Sequence, residues 1–242
     1  MYKNNLIYTL IPARSGSKRI KNKNIKYVGG LPLIAFTINH SLNCKMIDRT
    51  FVSTDSKIYQ KISTKYGAEA PFLRPKKFSK NLSTDFDVFD HFLKWIKKRN
   101  INTPDLIIHF RPTSPNRILS DTNKAIKLMC NNYLKYDSLR SVSKIEKKIQ
   151  KIYKFEKNLL IKNITNFRKI RNEYDANMPA QLLGDYYIHN GNIDIIKTST
   201  ISKLKSVSGK KILGFESNKK IHNFDIDNYD DLLSFEKYLS NS

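Results

Sequence analysis

Cysteine is nearly missing from this chain: Cys44 and Cys130 are the only two in 242 residues. Two thiols so far apart in sequence exclude a disulfide framework and a zinc site built on cysteine, and they suit a reducing compartment, so the cytoplasm is the expected location. No stretch approaches the roughly 20 apolar residues of a membrane span, and no membrane partner is expected. The opening "MYKNNLIYTLI" reads as a first strand rather than a leader to be removed. Acidic residues are scarce, 21 against 44 basic ones, which leaves a formal charge of +23. Two glycine-rich phosphate motifs are absent as well: neither G-x-x-x-x-G-K-[ST] nor G-x-G-x-x-G occurs.

The positive charge has two readings. A basic stripe with a recognisable module would mark a nucleic-acid surface. Here the charge is mostly lysine, strewn from end to end in a chain rich in Lys, Asn and Ile, and no such module is found. A solvated lysine surface is the simpler reading, nucleic acid is not the expected partner, and small anionic substrates would be drawn to such a surface in either case.

Runs of β-formers alternate with helical periodicity. "NLIYTLIPA" (5–13), "RTFVSTD" (49–55) and "PDLIIHFRPTSP" (104–115) read as buried strands running into polar loops. Between and after them come helices. One follows the glycine turn of "GGLPLIAFTINHSLNC" (29–44), and another runs over 56–68 with Ser56 as N-cap and Gly67 as stop. A third, over 85–98, places Phe89, Phe92 and Ile96 on one face together with Trp95. The fourth, over 120–134, begins with a capping residue. Strand–helix repetition of this kind predicts an α/β fold with a doubly wound, mostly parallel sheet. Ligands bind such sheets beyond the carboxyl ends of the strands. Arg14 to Lys18, Ser53 to Asp55 and Arg111 to Ser114 should therefore meet on one rim. From about 144 to 182 the lysine-dense sequence breaks the alternation and predicts a hairpin-like excursion from a single domain spanning 1–242. A strand "YYIHNGNIDII" and a helix "YDDLLSFEKYL" then return the chain.

Two segments carry chemistry. "LIPARSGSKRIKNKNI" (10–25) follows a strand and sets Arg14, Lys18, Arg19, Lys21 and Lys23 around Gly16. Backbone N–H groups in such a turn can cradle phosphate oxygens while the cations offset their charge. A solvated basic turn is the plain alternative. In "FDIDNYDDL" (224–232), Asp225 and Asp227 would share a face if the segment is a strand. Mg²⁺ takes one or two carboxylates beside phosphate oxygens and waters. The competing reading is a helix start, with Asp227 or Asn228 as N-cap and Asp230 and Asp231 in the first turn.

Taken together, these segments resemble the acylneuraminate cytidylyltransferases, also called CMP-sialic acid synthetases. "GLPLIAFTI", "DRTFVSTDS", "YGAEAPFLRP", "STDFDVFDHFL", "RPTSPNR", "HNGNIDII" and "GKKILGF" agree in register, so the resemblance runs from residue 6 to about 238. It implies a Rossmann-like, nucleotide-diphospho-sugar transferase fold. The implied activity is Mg²⁺-dependent transfer of CMP from CTP to a nine-carbon 2-keto sugar acid, with pyrophosphate released. By the resemblance, Arg14 and Lys23 meet the triphosphate, while Ala13, Ser15, Gly16 and Ser17 let backbone approach closely. Asn24 fixes the nucleoside, with Ser53, Asp55, Ser83, Thr84 and Asp85 along the nucleotide pocket. Asp225 and Asp227 hold the metal. Arg111, Thr113, Ser114, Arg117, Lys151, Gln181, Asn190 and Gly191 fall on the sugar side. A homodimer, joined through the excursion, is implied as well.

The sugar side departs from the family pattern. Arg111 replaces the glutamine of Gln-Pro-Thr-Ser-Pro, Ala180 the arginine of Pro-Arg-Gln, and Asp194 the usual tyrosine. The run "EKKIQK" keeps Lys151 but lacks two histidines. Arg111 either restores a charge lost at Ala180 or has an ordinary structural role. His109, His189 and His222 read as structural histidines. Kdo, an eight-carbon acid sugar, stays open as an alternative substrate, and a non-catalytic polyanion binder on the same fold is the reading from another class.

Overall fold

Ile7–Pro12 (β1) buries every residue but its last, as a strand covered on both faces must. Tyr27–Val28 (β2) and Leu31–Pro32 (β3) form a short antiparallel pair whose turn uses positive φ at Gly29 and Gly30. Leu33–Asn43 (α1), Arg49–Ser53 (β4), Lys57–Lys65 (α2), Asp85–Lys98 (α3), Leu106–His109 (β5) and Leu119–Asn131 (α4) complete the alternation. The chain continues through Ser138–Lys144 (β6), Lys154–Glu156 (β7), Leu159–Ile161 (β8) and Tyr187–Lys197 (β9). It closes with Thr198–Leu204 (α5), Ile212–Glu216 (β10) and Tyr229–Ser240 (α6). This computed structural model describes residues 1–146, 154–156, 159–161, 181, 185–217 and 224–241.

The six-stranded sheet has the order β10-β6-β9-β5-β1-β4. β1 is central and pairs in parallel with β4 and β5, whereas β9 runs antiparallel to β5. The sheet is thus mostly parallel but mixed, the doubly wound α/β class that the alternation predicts. Because side chains alternate across a strand, each strand feeds two cores. Ile7, Ile11, Val52 and Ile108 pack on one face with Ile34 and Ile38 of α1 and Ile126 and Met129 of α4. Tyr8, Leu10, Phe51 and Ile107 pack on the other with Phe89, Phe92 and Ile96 of α3 and Ile201 of α5. Trp95 packs against that second core, as its helical position predicts.

Local chemistry sets several helix starts. Ser56 caps α2, its hydroxyl accepting from Tyr59 N. Thr84 and Asp87 form a reciprocal capping box on α3. Asn228 and Asp231 form a second one on α6, so the helix-start reading of "DNYDD" holds for those residues. α4 differs from expectation. It begins at Leu119 rather than 120, and no side chain caps it. The segment 224–227 carries no ladder, although Phe224 and Ile226 are buried and Asp225 and Asp227 are not, so extended alternation survives without a strand.

Two compact units emerge: Met1–Ser141 with Gly191–Ser242, and Val142–Asn190. The smaller contains the antiparallel pairing of β7 with β8. No described helix is long and apolar enough to cross a membrane.

Candidate active site

The register Pro12↔Ser53 and Leu10↔His109 puts the carboxyl ends of β4, β1 and β5 on one edge of the larger unit. A cleft of about 590 Å³ opens there. Seven basic side chains line it against two acidic ones, Asp85 and Asp227. Of the expected nucleotide-side residues, Arg14, Ser17, Lys23, Asn24, Ser83, Thr84 and Asp85 line it, joined by Arg111 and Thr113 from the sugar side.

The basic loop is pinned at three points. Ala13 is buried and its N–H donates to Ser53 O at 2.9 Å. Asp55 accepts from both Ser15 N (2.8 Å) and Ser15 Oγ (3.1 Å). Ile20 is fully buried among Val28, Leu33, Phe224, Ile226 and Phe235, a burial that stabilises by roughly 1.5 to 3 kcal/mol. Ser53 and Asp55 therefore shape the loop from behind and do not line the cleft. Asn24 is buried, and its side-chain amide donates to Arg14 O at 3.1 Å. Gly16 is exposed, and a Cβ built on it would meet nothing within 4 Å, so neither packing nor positive φ requires a glycine there.

Lys23 reaches across to the far wall, where Nζ donates to Ile226 O (2.6 Å) and Asp227 Oδ1 (2.9 Å). Arg19 Nη1 meets the other oxygen of the same carboxylate at 3.2 Å. Asp227 is itself held in place, since Asp231 Oδ2 accepts from its N–H at 2.7 Å. Ile226 N donates to Thr113 O at 2.8 Å, which ties this segment to the loop after β5. Asp225 is exposed and lies outside the cleft lining. Among the described residues no group of three or more His, Cys, Asp or Glu side chains gathers to hold a metal. Mg²⁺ takes one or two carboxylates beside phosphate and water, and of the two expected ligands Asp227 is the one that lines the cleft.

On the β5 side, Arg111 bonds Asp194 Oδ2 at 2.8 Å and Gly191 O at 3.2 Å. Arg117 is half-buried beside it, donating to Asn192 O, Thr37 Oγ1 and Arg111 O at 2.7 to 3.0 Å. Burial pulls its pKa down, yet a guanidinium with three such acceptors stays a cation. Ser114 is buried, its N–H donating to Arg111 O at 3.1 Å. Gln181 and Asn190 belong to the smaller unit, where Gln181 is exposed and Asn190 Nδ2 donates to Ser143 Oγ at 2.9 Å. Lys151, Ala180 and His222 lie outside the described residues.

The cleft also contains residues that the sequence did not single out for the site. Arg74 is 4% exposed, and its Nε donates to Ser79 Oγ at 3.0 Å. Lys80 lines the same wall and accepts on its carbonyl from Arg14 Nη1 at 2.9 Å. His109, expected to be structural, is buried against Phe89 and lines the floor. Burial first, then the charge of Arg111, lowers its pKa to about 4, so it is neutral at pH 7. Arg74 carries no periodicity signal, because it sits in the irregular, proline-punctuated stretch between α2 and α3.

Residues 8–115 match the family model described as "Cytidylyltransferase". The match covers a little under half of the chain, so it is to this segment that the cytidylyltransferase likeness attaches. The segment holds every residue of the cleft lining except Asp227. The chain is 34% identical over 145 residues to an N-acylneuraminate cytidylyltransferase of Escherichia coli, a match covering 60% of this chain and 33% of that one. It is 35% identical over 127 residues to a CMP-N,N'-diacetyllegionaminic acid synthase of Legionella pneumophila, covering 50% and 52% respectively. The chain thus spans between a third and about half of these relatives' length. Among solved structures, a CMP:2-keto-3-deoxy-manno-octonic acid synthetase complexed with CTP superimposes with a TM-score of 0.70 at 14% identity. That superposition covers 98% of this chain and 99% of that one, and it shows that the fold is shared. The matched segment contains "LIPARSGSKRIKNKNI", the stretch on which the resemblance was first read.

Proposed function

We propose that this chain transfers CMP from CTP to the anomeric hydroxyl of a nonulosonic, sialic-acid-like sugar acid and releases pyrophosphate. The observation that carries this reading is the cleft itself: seven cations against two carboxylates, at the carboxyl ends of the parallel strands, within a cytidylyltransferase segment. The sugar oxygen forms a bond to the α-phosphorus as the bond to the bridging oxygen of pyrophosphate breaks, and the hydroxyl proton passes to solvent. Little covalent work falls to the protein, so positioning and charge stabilisation dominate.

Arg14, Lys23 and the backbone around Gly16 bind the triphosphate, and Arg74 adds a desolvated guanidinium to the same wall. Lys23 and Asp227 neutralise one another; a bound triphosphate would draw on Lys23, and the Asp227 carboxylate would then be available to a metal. Asp225 and Asp227 are the residues to hold Mg²⁺, which when bound supplies charge neutralisation at the phosphates and lowers the pKa of the attacking hydroxyl. Arg111 and Thr113 face the sugar acid. We assign homodimerisation to the smaller unit, supported by the exposed Tyr187 and Ile188 on its part of β9. The cytoplasm is our assigned location, in keeping with free thiols at Cys44 and Cys130.

Pyrophosphate release is the test, run with CTP and Mg²⁺ against N-acetylneuraminic, legionaminic and pseudaminic acids and Kdo. Release with a nine-carbon acid, abolished by chelator, is the expected result, and release with Kdo alone would move the substrate to the eight-carbon class. A folded protein that neither releases pyrophosphate nor binds CTP would sink the enzyme reading.

A further inference from the structure

The two cleft-side departures from the family pattern, Arg111 and Asp194, are one device. Arg111 lies two residues beyond the end of β5, and Asp194 lies on β9 opposite His109 in the antiparallel register. Arg111 Nη1 donates to Asp194 Oδ2 at 2.8 Å and to Gly191 O at 3.2 Å, and its own carbonyl accepts from Arg117 Nη2 at 2.7 Å. One edge of the guanidinium is thereby fixed. Asp194 has a side chain only 3% exposed, whereas Arg111 is 26% exposed and lines the cleft. The other terminal nitrogen, Nη2, has a long 3.4 Å contact to Asp85 Oδ2, on a carboxylate that is 45% exposed.

A buried ion pair of this kind is weak as a source of stability, since an apolar pair of similar size serves as well. What it supplies is direction. A planar guanidinium held along one edge presents the other in the geometry that accepts a carboxylate, and a long, half-exposed contact is the one that gives way.

We propose that Asp194 is a positioning residue that fixes Arg111 so that its Nη2 edge receives the carboxylate of the acid sugar in exchange for Asp85. This rests on the proposed function. It makes Arg111 a specificity determinant for the acid group, acting with a partner 83 residues away.

The test compares wild type with Asp194→Asn, Arg111→Gln and Arg111→Gln/Asp194→Tyr, measuring KM and kcat for whichever of the four acids wild type turns over. The affinity for CTP is measured separately by calorimetry. Asp194→Asn keeps size and an acceptor oxygen but removes the charge. It should raise the sugar-acid KM about tenfold or more, with kcat and the CTP Kd within about twofold. Arg111→Gln alone strands a buried carboxylate and can fail to fold, so the double variant is its safeguard. The double variant should bind CTP normally and show a KM no worse than either single change, because the two act as a unit. A KM within about twofold of wild type in Asp194→Asn, or a CTP Kd that shifts as far as KM, would overturn the inference. Wild type inert with all four acids overturns the activity reading, and this inference with it, before any variant is compared.

Discussion

Gly16 isolates the contribution of one residue. Nothing in the protein lies within 4 Å of a Cβ placed there, and its φ is not among the positive ones. Gly16→Ala should change unfolding free energy by less than about 0.5 kcal/mol. Yet if the loop backbone lies against phosphate, the methyl intrudes on the ligand, and CTP affinity should fall about tenfold, near 1.4 kcal/mol. Denaturant unfolding and calorimetry on the same preparation separate the two effects, and a Gly16→Ala protein that binds CTP as wild type does would remove the loop from the triphosphate site. Lys23 is the stronger case. Its ammonium is largely buried and bonded to Asp227, so Lys23→Ala should cost at least about 100-fold in kcat/KM, as losing a charge-stabilising donor does elsewhere. Lys23→Arg should recover only part of this, because a planar fork cannot occupy the same narrow route to Ile226 O. Arg14 and Lys23 could be placed at the cleft from sequence because they follow a strand into its loop, whereas Asp227 was placed there by the resemblance alone. The pairing of Arg111 with Asp194 could not. Each looked like a separate departure until the antiparallel β9 brought them together, and antiparallel placement of a late strand has no local signature.

Elements explain why the site keeps its shape without substrate. Ile20 is the only fully buried side chain in the basic stretch 14–23, and it fastens that stretch to α1 and α6 through Leu33 and Phe235. Ile20→Ala should cost about 2 to 5 kcal/mol and Ile20→Val about 0.5 to 1.5 kcal/mol. If the anchor also orders the loop, CTP affinity falls with stability in the alanine variant and survives in valine. Urea unfolding with a parallel CTP titration reads both. α3 offers a control at the opposite wall. Asp87 completes the capping box with Thr84 but does not line the cleft, so Asp87→Ala should lose roughly 1 kcal/mol and leave CTP affinity alone. The strands and helices were legible because hydrophobic periodicity is local. The start of α4 was not, since Ser120 and Asp121 offer a cap that the backbone passes by in favour of Ile118. The cleft wall carrying Arg74 and Lys80 was missed for a related reason. It is irregular chain, tied to the sheet edge by Arg74 N donating to Thr54 O at 2.7 Å and otherwise folded on itself through local turns such as Phe78 N to Pro75 O at 2.9 Å.

At the scale of the whole molecule, charge is the dominant feature, and the question is how much of it serves the cleft. The chain has 44 basic residues and a formal charge of +23, and among the described residues seven of the basic ones line the site. Two kinds of anion binding must therefore respond differently to salt. A polyanion such as RNA touches the dispersed lysines and releases counterions as it binds, so log K falls linearly with log salt, steeply for many contacts. CTP in the cleft meets a small, partly desolvated set, and desolvated charges are screened much less than exposed ones. Raising salt from about 50 to 200 mM should weaken homopolymer RNA binding by a factor of about 300 if roughly six phosphates are engaged, at the slope of a single strand. Over the same range the CTP Kd should rise by no more than about tenfold. Asp227→Asn sharpens the contrast, because it removes a carboxylate from the cleft and nothing from the lysine surface. It should abolish metal-dependent pyrophosphate release while leaving the RNA salt slope unchanged. Fluorescence titrations with a labelled homopolymer, alongside calorimetry with CTP, supply both slopes. Equal slopes would mean that the cleft is only another part of a general basic surface, and the polyanion-binding reading would then displace the enzyme.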